Sequence, residues 1–105
     1  MSANNYIRLT KPNLVDALLK YAPFHNSTLT VKGYPNTPGR YLFSSSLHDS
    51  YYDHVRMADY IILSYGTPIA WHRTDGWFIP DETYSATTSK HQSYIREAIN
   101  EIEGY

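Results

Sequence analysis

Cysteine is absent from the 105 residues. That single absence removes disulfide frameworks, thiolate zinc sites, iron–sulfur clusters and cysteine nucleophiles, and it fits a reducing, cytoplasmic setting. Charge is sparse: 9 basic against 10 acidic side chains leave a formal net charge of -1. Such a balance neither captures polyanions nor mimics them. Long apolar runs are missing too. The strongest, Tyr60 to Leu63, is far too short to span a bilayer, and the polar residues 1–9 lack the apolar run of a signal peptide. No glycine-rich phosphate loop and no G-x-S-x-G nucleophile elbow occur. With 42% hydrophobic residues the chain still has enough apolar surface for one core, which argues for a single folded domain over residues 1–105 rather than disorder.

What the chain has in surplus is tyrosine, 11 in all. The flanking pattern predicts where they sit. A helix is expected over residues 11–22. Pro12 suits its first turn, and Leu14, Val15, Leu18, Leu19 and Ala22 share a face. Pro23 is expected to stop it. Ser27 to Lys32 alternates as a half-buried strand. Residues 33–40 carry two prolines and two glycines and read as a turn or loop, followed by a second strand from Tyr41 to Ser44. Residues 45–59 read either as a short helix lined by Leu47, Tyr51, Val55 and Ala58 or as an irregular connection.

Tyr60 to Tyr65 reads as a central strand buried on both faces. Gly66-Thr67-Pro68 is expected to turn the chain into a strand over Ile69 to Arg73. Thr74-Asp75-Gly76 then closes a hairpin onto Trp77-Phe78-Ile79. The last helix is expected to start at Ser89, its N-cap, with Gln92 as the reciprocal capping partner. Its apolar stripe is His91, Tyr94, Ile95, Ala98, Ile99 and Ile102. The expected class is α+β: an antiparallel sheet of about five strands with an N-terminal and a C-terminal helix packed on it.

Candidate chemistry is thin. His48, Asp49, Asp53 and His54 are ligand types for zinc or manganese, but on one helix they do not converge, so no metal or other cofactor is expected. His72, His91 and Lys90 are the residue types of an acid–base ribonuclease, yet nothing in their spacing requires it. Asp81 and Glu82 are adjacent, point apart in extended chain and make a poor acid–base pair. The chain is therefore read as a non-enzyme. Thr88, Ser89, Lys90 and His91 crowd a helix start, where free N–H groups favour anions. They are the candidate anion site, and a nucleic-acid- or nucleotide-binding module is the alternative reading. Tyrosine gives large contact area at low entropy cost. Tyr34, Tyr51 and Tyr52 sit in loop-like segments, so they are the expected anchors for a protein partner.

Two stretches carry a resemblance. Ser64-Tyr65-Gly66-Thr67-Pro68-Ile69-Ala70-Trp71, then Trp77, then Tyr84 to Gln92 together resemble a family of small phage-encoded proteins of unassigned function. Their shared pattern is S-Y-x-T-P-I-A followed by Y-S-x-T-T-S-x-H-Q, covering residues 60–99 here. The resemblance implies a phage or prophage accessory protein acting in the cytoplasm of the bacterial host cell. Proteins of that class commonly bind and block a host defence component, CRISPR–Cas among them.

Overall fold

A computed structural model describes residues 6–26, 31–37, 51–80 and 85–103, the side chain of Tyr52 excepted. The described chain is α+β. Helix α1 (Lys11–Leu19) leads into strands β1 (Phe24–Asn26) and β2 (Val31–Pro35). A short helix α2 (Tyr52–Arg56) precedes β3 (Tyr60–Ser64), β4 (Thr67–Arg73) and β5 (Gly76–Phe78), and α3 (Ala86–Ile102) closes the order. The five strands form one antiparallel sheet in the order β1-β2-β3-β4-β5.

β3 is the middle strand and is buried at every position. Its side chains alternate between two cores, because successive residues of a strand point to opposite faces. Tyr60 and Ile62 join the helix-side core with Leu14, Leu18, Ile95 and Ile99. Ile61 and Leu63 join Val55, Ala58 and Trp71 on the other face, where Tyr34, Tyr51 and Phe78 complete the packing. The ladder shifts register between Ile62 and Leu63, which pair with Ala70 and Pro68. The irregularity leaves Ile69 without a cross-strand partner and lets Ile69 and Ala70 both enter the helix-side core. It is also where the ladder accepts the missing N–H of Pro68.

The structure corrects several expected boundaries. Phe24–Asn26 forms a strand that three residues after Pro23 did not announce. Of the strand expected over Ser27 to Lys32, residues 27–30 lie outside the described residues; Val31 and Lys32 are in β2, which continues to Pro35 through part of the segment read as a turn. Gly33 belongs there because a Cβ would collide with the Phe24 ring and come within 2.8 Å of the Tyr60 hydroxyl. The turn after β3 is Tyr65-Gly66, not Gly66-Thr67-Pro68. Both residues have positive φ, 51° and 82°, as a two-residue type I′ hairpin requires.

α3 begins at Ala86, with Ser85 as N-cap accepting from Thr88 N. Ser89 is therefore one turn inside the helix, its N–H donating to Ser85 O at 2.9 Å. Gln92 serves no cap: its Nε2 donates to the Ile69 and Pro80 carbonyls at 3.1 and 3.3 Å. The apolar stripe of α3 stands as expected, with His91, Ile95, Ala98 and Ile99 buried. Of residues 45–59, the described part contains one short helix, and Val55 and Ala58 are buried. The strand expected at Tyr41 to Ser44 lies outside the described residues, as do Leu47, Asp81, Glu82 and Tyr84.

Candidate functional site

Chemistry gathers at the two ends of β3. At the Tyr60 end the organiser is the last turn of α1. Tyr21 N–H donates to Leu18 O at 3.2 Å and Ala22 N–H to Ala17 O at 3.0 Å. That pair of bonds is the Schellman closure, whose C′ residue adopts the left-handed conformation and is usually glycine. Here it is Tyr21, at φ 51°. A tyrosine in this conformation costs about 1–2 kcal/mol in backbone sterics.

The ring is held on three sides. It stacks on Trp77 at 6.1 Å and 6°, meets Tyr60 edge-on at 5.9 Å, and meets His72 edge-on at 5.1 Å. The sheet register supplies this seat, since His72 pairs with Tyr60 on one side and Trp77 on the other. Tyr60 anchors the helix end by donating its hydroxyl to Ala22 O at 2.6 Å, and burial pushes its phenol well above the ordinary tyrosine range. Tyr21 nevertheless stays 42% exposed.

A hydrogen-bond chain runs through this cluster. His72 Nδ1 lies 2.8 Å from Asp59 Oδ1, and Tyr21 Oη lies 3.2 Å from His72 Nε2. An ionised carboxylate only accepts, so Nδ1 carries the proton and donates it. When the ring is neutral, Nε2 is the acceptor and the Tyr21 hydroxyl donates to it. Carboxylate, imidazole and hydroxyl stand in the order used to activate a nucleophile.

The Ser64 end is built differently. Ser64 Oγ lies 2.7 Å from His91 Nδ1 and 3.3 Å from Thr88 Oγ1. All three residues are buried, His91 to 1% exposure, and His91 Nε2 has no hydrogen-bond partner among the described residues. Burial lowers the His91 pKa, and the Lys90 charge lowers it further. Tyr65 lies over the imidazole, tilted 30° at 5.8 Å, and is 55% exposed. The two motif stretches thus meet across the sheet–helix interface: Ser64 and Ile69 from one touch Thr88, His91 and Gln92 from the other.

The expected anchors are placed otherwise than their loop-like sequence implied. Tyr34 lies in β2, half-buried against the second core. Tyr51 is half-buried, edge-on to Trp71 at 6.1 Å and tilted on Phe78 at 5.8 Å. Tyr52 opens α2, and its side chain is outside the described residues.

The four candidate anion-site residues stand deeper in the helix than expected. Thr88 and His91 point into the core, Ser89 sits inside the helix, and Lys90 is exposed in the second turn rather than the first. These four residues do not form the opening of the helix, because the helix opens at Ala86. His72 and His91 do not converge either. They serve opposite ends of β3, separated by roughly 13 Å of strand at 3.3 Å per residue. Of the cation-ligand candidates, His48 and Asp49 lie outside the described residues. Asp53 is exposed beside Arg56 at 4.0 Å, and His54 Nδ1 accepts from Trp71 Nε1 at 2.8 Å. Among the described residues no three His, Asp or Glu side chains gather.

Sequence reasoning missed Asp59, His72 and Tyr21 as a group, since only the pairing of β3 with β4 and the end of α1 bring them together. Tyr65 had a visible signal. Glycine between two apolar runs marks a hairpin turn, and the type I′ form ordinarily puts Asn, Asp or Gly before it, where this chain has Tyr65. Among the described residues no helix is long and apolar enough to cross a membrane. The chain belongs to the family of unknown function DUF8033, which it matches over residues 24–103. No curated protein and no solved structure matches it.

Proposed function

We propose that this chain is a non-enzymatic accessory protein of phage or prophage that binds a protein of the bacterial host cell and blocks it, with a defence component of the CRISPR–Cas kind as the target. The resemblance of the two motif stretches supports the phage setting. One structural observation supports the binding mode. Among the described residues, the non-glycine positions with positive φ are Tyr21 and Tyr65, and both rings are exposed.

Left-handed positions favour glycine or asparagine. A tyrosine there strains the backbone, and strain of this kind collects at functional sites. An exposed ring recovers little by burial, so folding alone gives Tyr65 no reason to be tyrosine. Contact with a partner does, because tyrosine is enriched in interfaces and dominates their energetics. The docking face proposed here therefore uses Tyr21 and Tyr65, in place of Tyr34 and Tyr51, whose rings pack the second core.

The test is capture from bacterial lysate on the immobilised chain, with mass spectrometry of what is retained. Wild-type protein is expected to retain a stoichiometric bacterial partner, and retention should persist in high salt because aromatic contact, not charge, drives it. Tyr65→Asn and Tyr21→Ala should each weaken capture by about 2 kcal/mol or more, the size of an interface hot spot. Retention at wild-type level by both folded variants would refute the reading.

A further inference from the structure

We propose that Tyr21 is a nucleophile, activated by His72 and oriented through Asp59, and that it accepts an acyl group from an activated acyl donor. The inference goes beyond docking and does not rest on it. It stands on the hydrogen-bond chain: Asp59 Oδ1 to His72 Nδ1 at 2.8 Å, His72 Nε2 to Tyr21 Oη at 3.2 Å. An activated nucleophile needs a base within hydrogen-bond reach, a third group that fixes the base, and access for the electrophile. All three conditions are met here. The Tyr21–His72 bond lies at the exposed surface. The backbone at φ 51° and the stack on Trp77 hold the ring in one orientation.

The surroundings select the electrophile. The walls are the rings of Tyr60 and Trp77, and the fixed charge is the Asp59 carboxylate. Such a setting disfavours a phosphoryl group, which is anionic and needs cationic clamps. The flanking cations are engaged elsewhere: Lys20 pairs with Asp16 at 3.1 Å and Arg73 with Asp75 at 3.9 Å. A neutral activated acyl group meets no such barrier. As the Tyr21 Oη–acyl carbon bond forms, the phenolic proton moves to His72 Nε2. The bond from the acyl carbon to its leaving group breaks, and His72 returns the proton to that group. The step involves no change of oxidation state.

The experiment treats the isolated chain with N-acetylimidazole and follows acetylation tyrosine by tyrosine by peptide mass spectrometry. Tyr65 is the internal control, since it has the same φ of 51° and greater exposure but its ring lies over the buried His91. A Tyr21 rate more than about tenfold above that of Tyr65 supports the proposal, well within the hundredfold or more that a positioned general base supplies. A smaller ratio overturns it. His72→Gln and Asp59→Asn should remove the excess at Tyr21 while leaving the Tyr65 rate unchanged, the control that separates orientation of the base from a general loosening of the fold. An excess that survives both substitutions also overturns it. Because no partner is present, failure of the docking reading leaves this result intact, and the reverse holds equally.

Discussion

The two ends of β3 carry the same parts in different states. Each has a histidine bonded to an oxygen, and each has an exposed tyrosine in left-handed backbone. At the Tyr60 end both ring nitrogens of His72 are used, and the outermost group of the chain is an exposed hydroxyl. At the Ser64 end His91 is buried, one nitrogen bonded to Ser64 and the other without a partner among the described residues. A satisfied, accessible chain is free to meet a ligand. A sealed, half-satisfied network contributes mainly to specifying how α3 seats on the sheet, and breaking it exposes the cost of buried unpaired groups. Ser64, Tyr65, Thr88 and His91 meet at the sealed end, while Trp77 stands at the Tyr60 end under the Tyr21 ring.

The strongest test of that contrast removes the framework both ends share. Ile99 is buried in the helix-side core, and Ile99→Ala should cost about 2–5 kcal/mol, measured by urea denaturation. A neutral result would mean that α3 does not hold the sheet. The next test separates the ends. Ser64→Ala strips Thr88 and His91 of a buried partner and should cost about 1–3 kcal/mol. Asp59→Asn acts on a half-exposed side chain and should stay within about 1 kcal/mol. Equal costs would erase the distinction between a sealed end and an open one. A gain comes third. Tyr65→Asn relieves left-handed strain at a turn position that favours asparagine and should raise stability by about 0.5–1 kcal/mol, visible as a higher melting temperature. Its weaker capture of a partner would then be a loss of binding without a loss of fold.

The sequence made the broad layout legible because it rests on periodicity. The stripe of α3, the continuous apolar run of β3 and the Thr74-Asp75-Gly76 hairpin each obey a local rule. Boundaries failed where tertiary contact overrode a local signal. Gly33 and Pro35 look like loop residues, yet Phe24 and Tyr60 pack over Gly33 and demand a residue without a side chain. Thr88-Ser89 looks like a cap, but Ser85 reaches the helix first. The Asp59–His72–Tyr21 chain left no trace at all in sequence. Tyr21 and His72 are 51 positions apart, and only the register of β3 on β4 and the closure of α1 join them.

The smallest expected effect concerns protons on two histidines, His91 at the sealed end and His54 against Trp71 on the other face of the sheet. Burial, then the Lys90 charge, lowers the His91 pKa below its ordinary 6.5. His54 is lowered from the same value by burial first and by Arg73 next, with Asp75 opposing. In the unfolded chain both return to the ordinary value. Above it neither state binds the proton, so stability is at its full level. As pH falls through about 6.5 the unfolded chain takes up protons that the folded chain resists. Stability must therefore drop on acidification and level off only below the folded pKa values. Melting temperatures between about pH 7.5 and about pH 5.5 should show that decline. His91→Asn should flatten part of it and His54→Gln a further part, whatever each substitution does to the melting temperature at neutral pH. A decline left unchanged by His91→Asn would mean that the imidazole at the Ser64 end is hydrated and titrates freely, and the contrast between the two ends of β3 would then rest on Tyr21 alone.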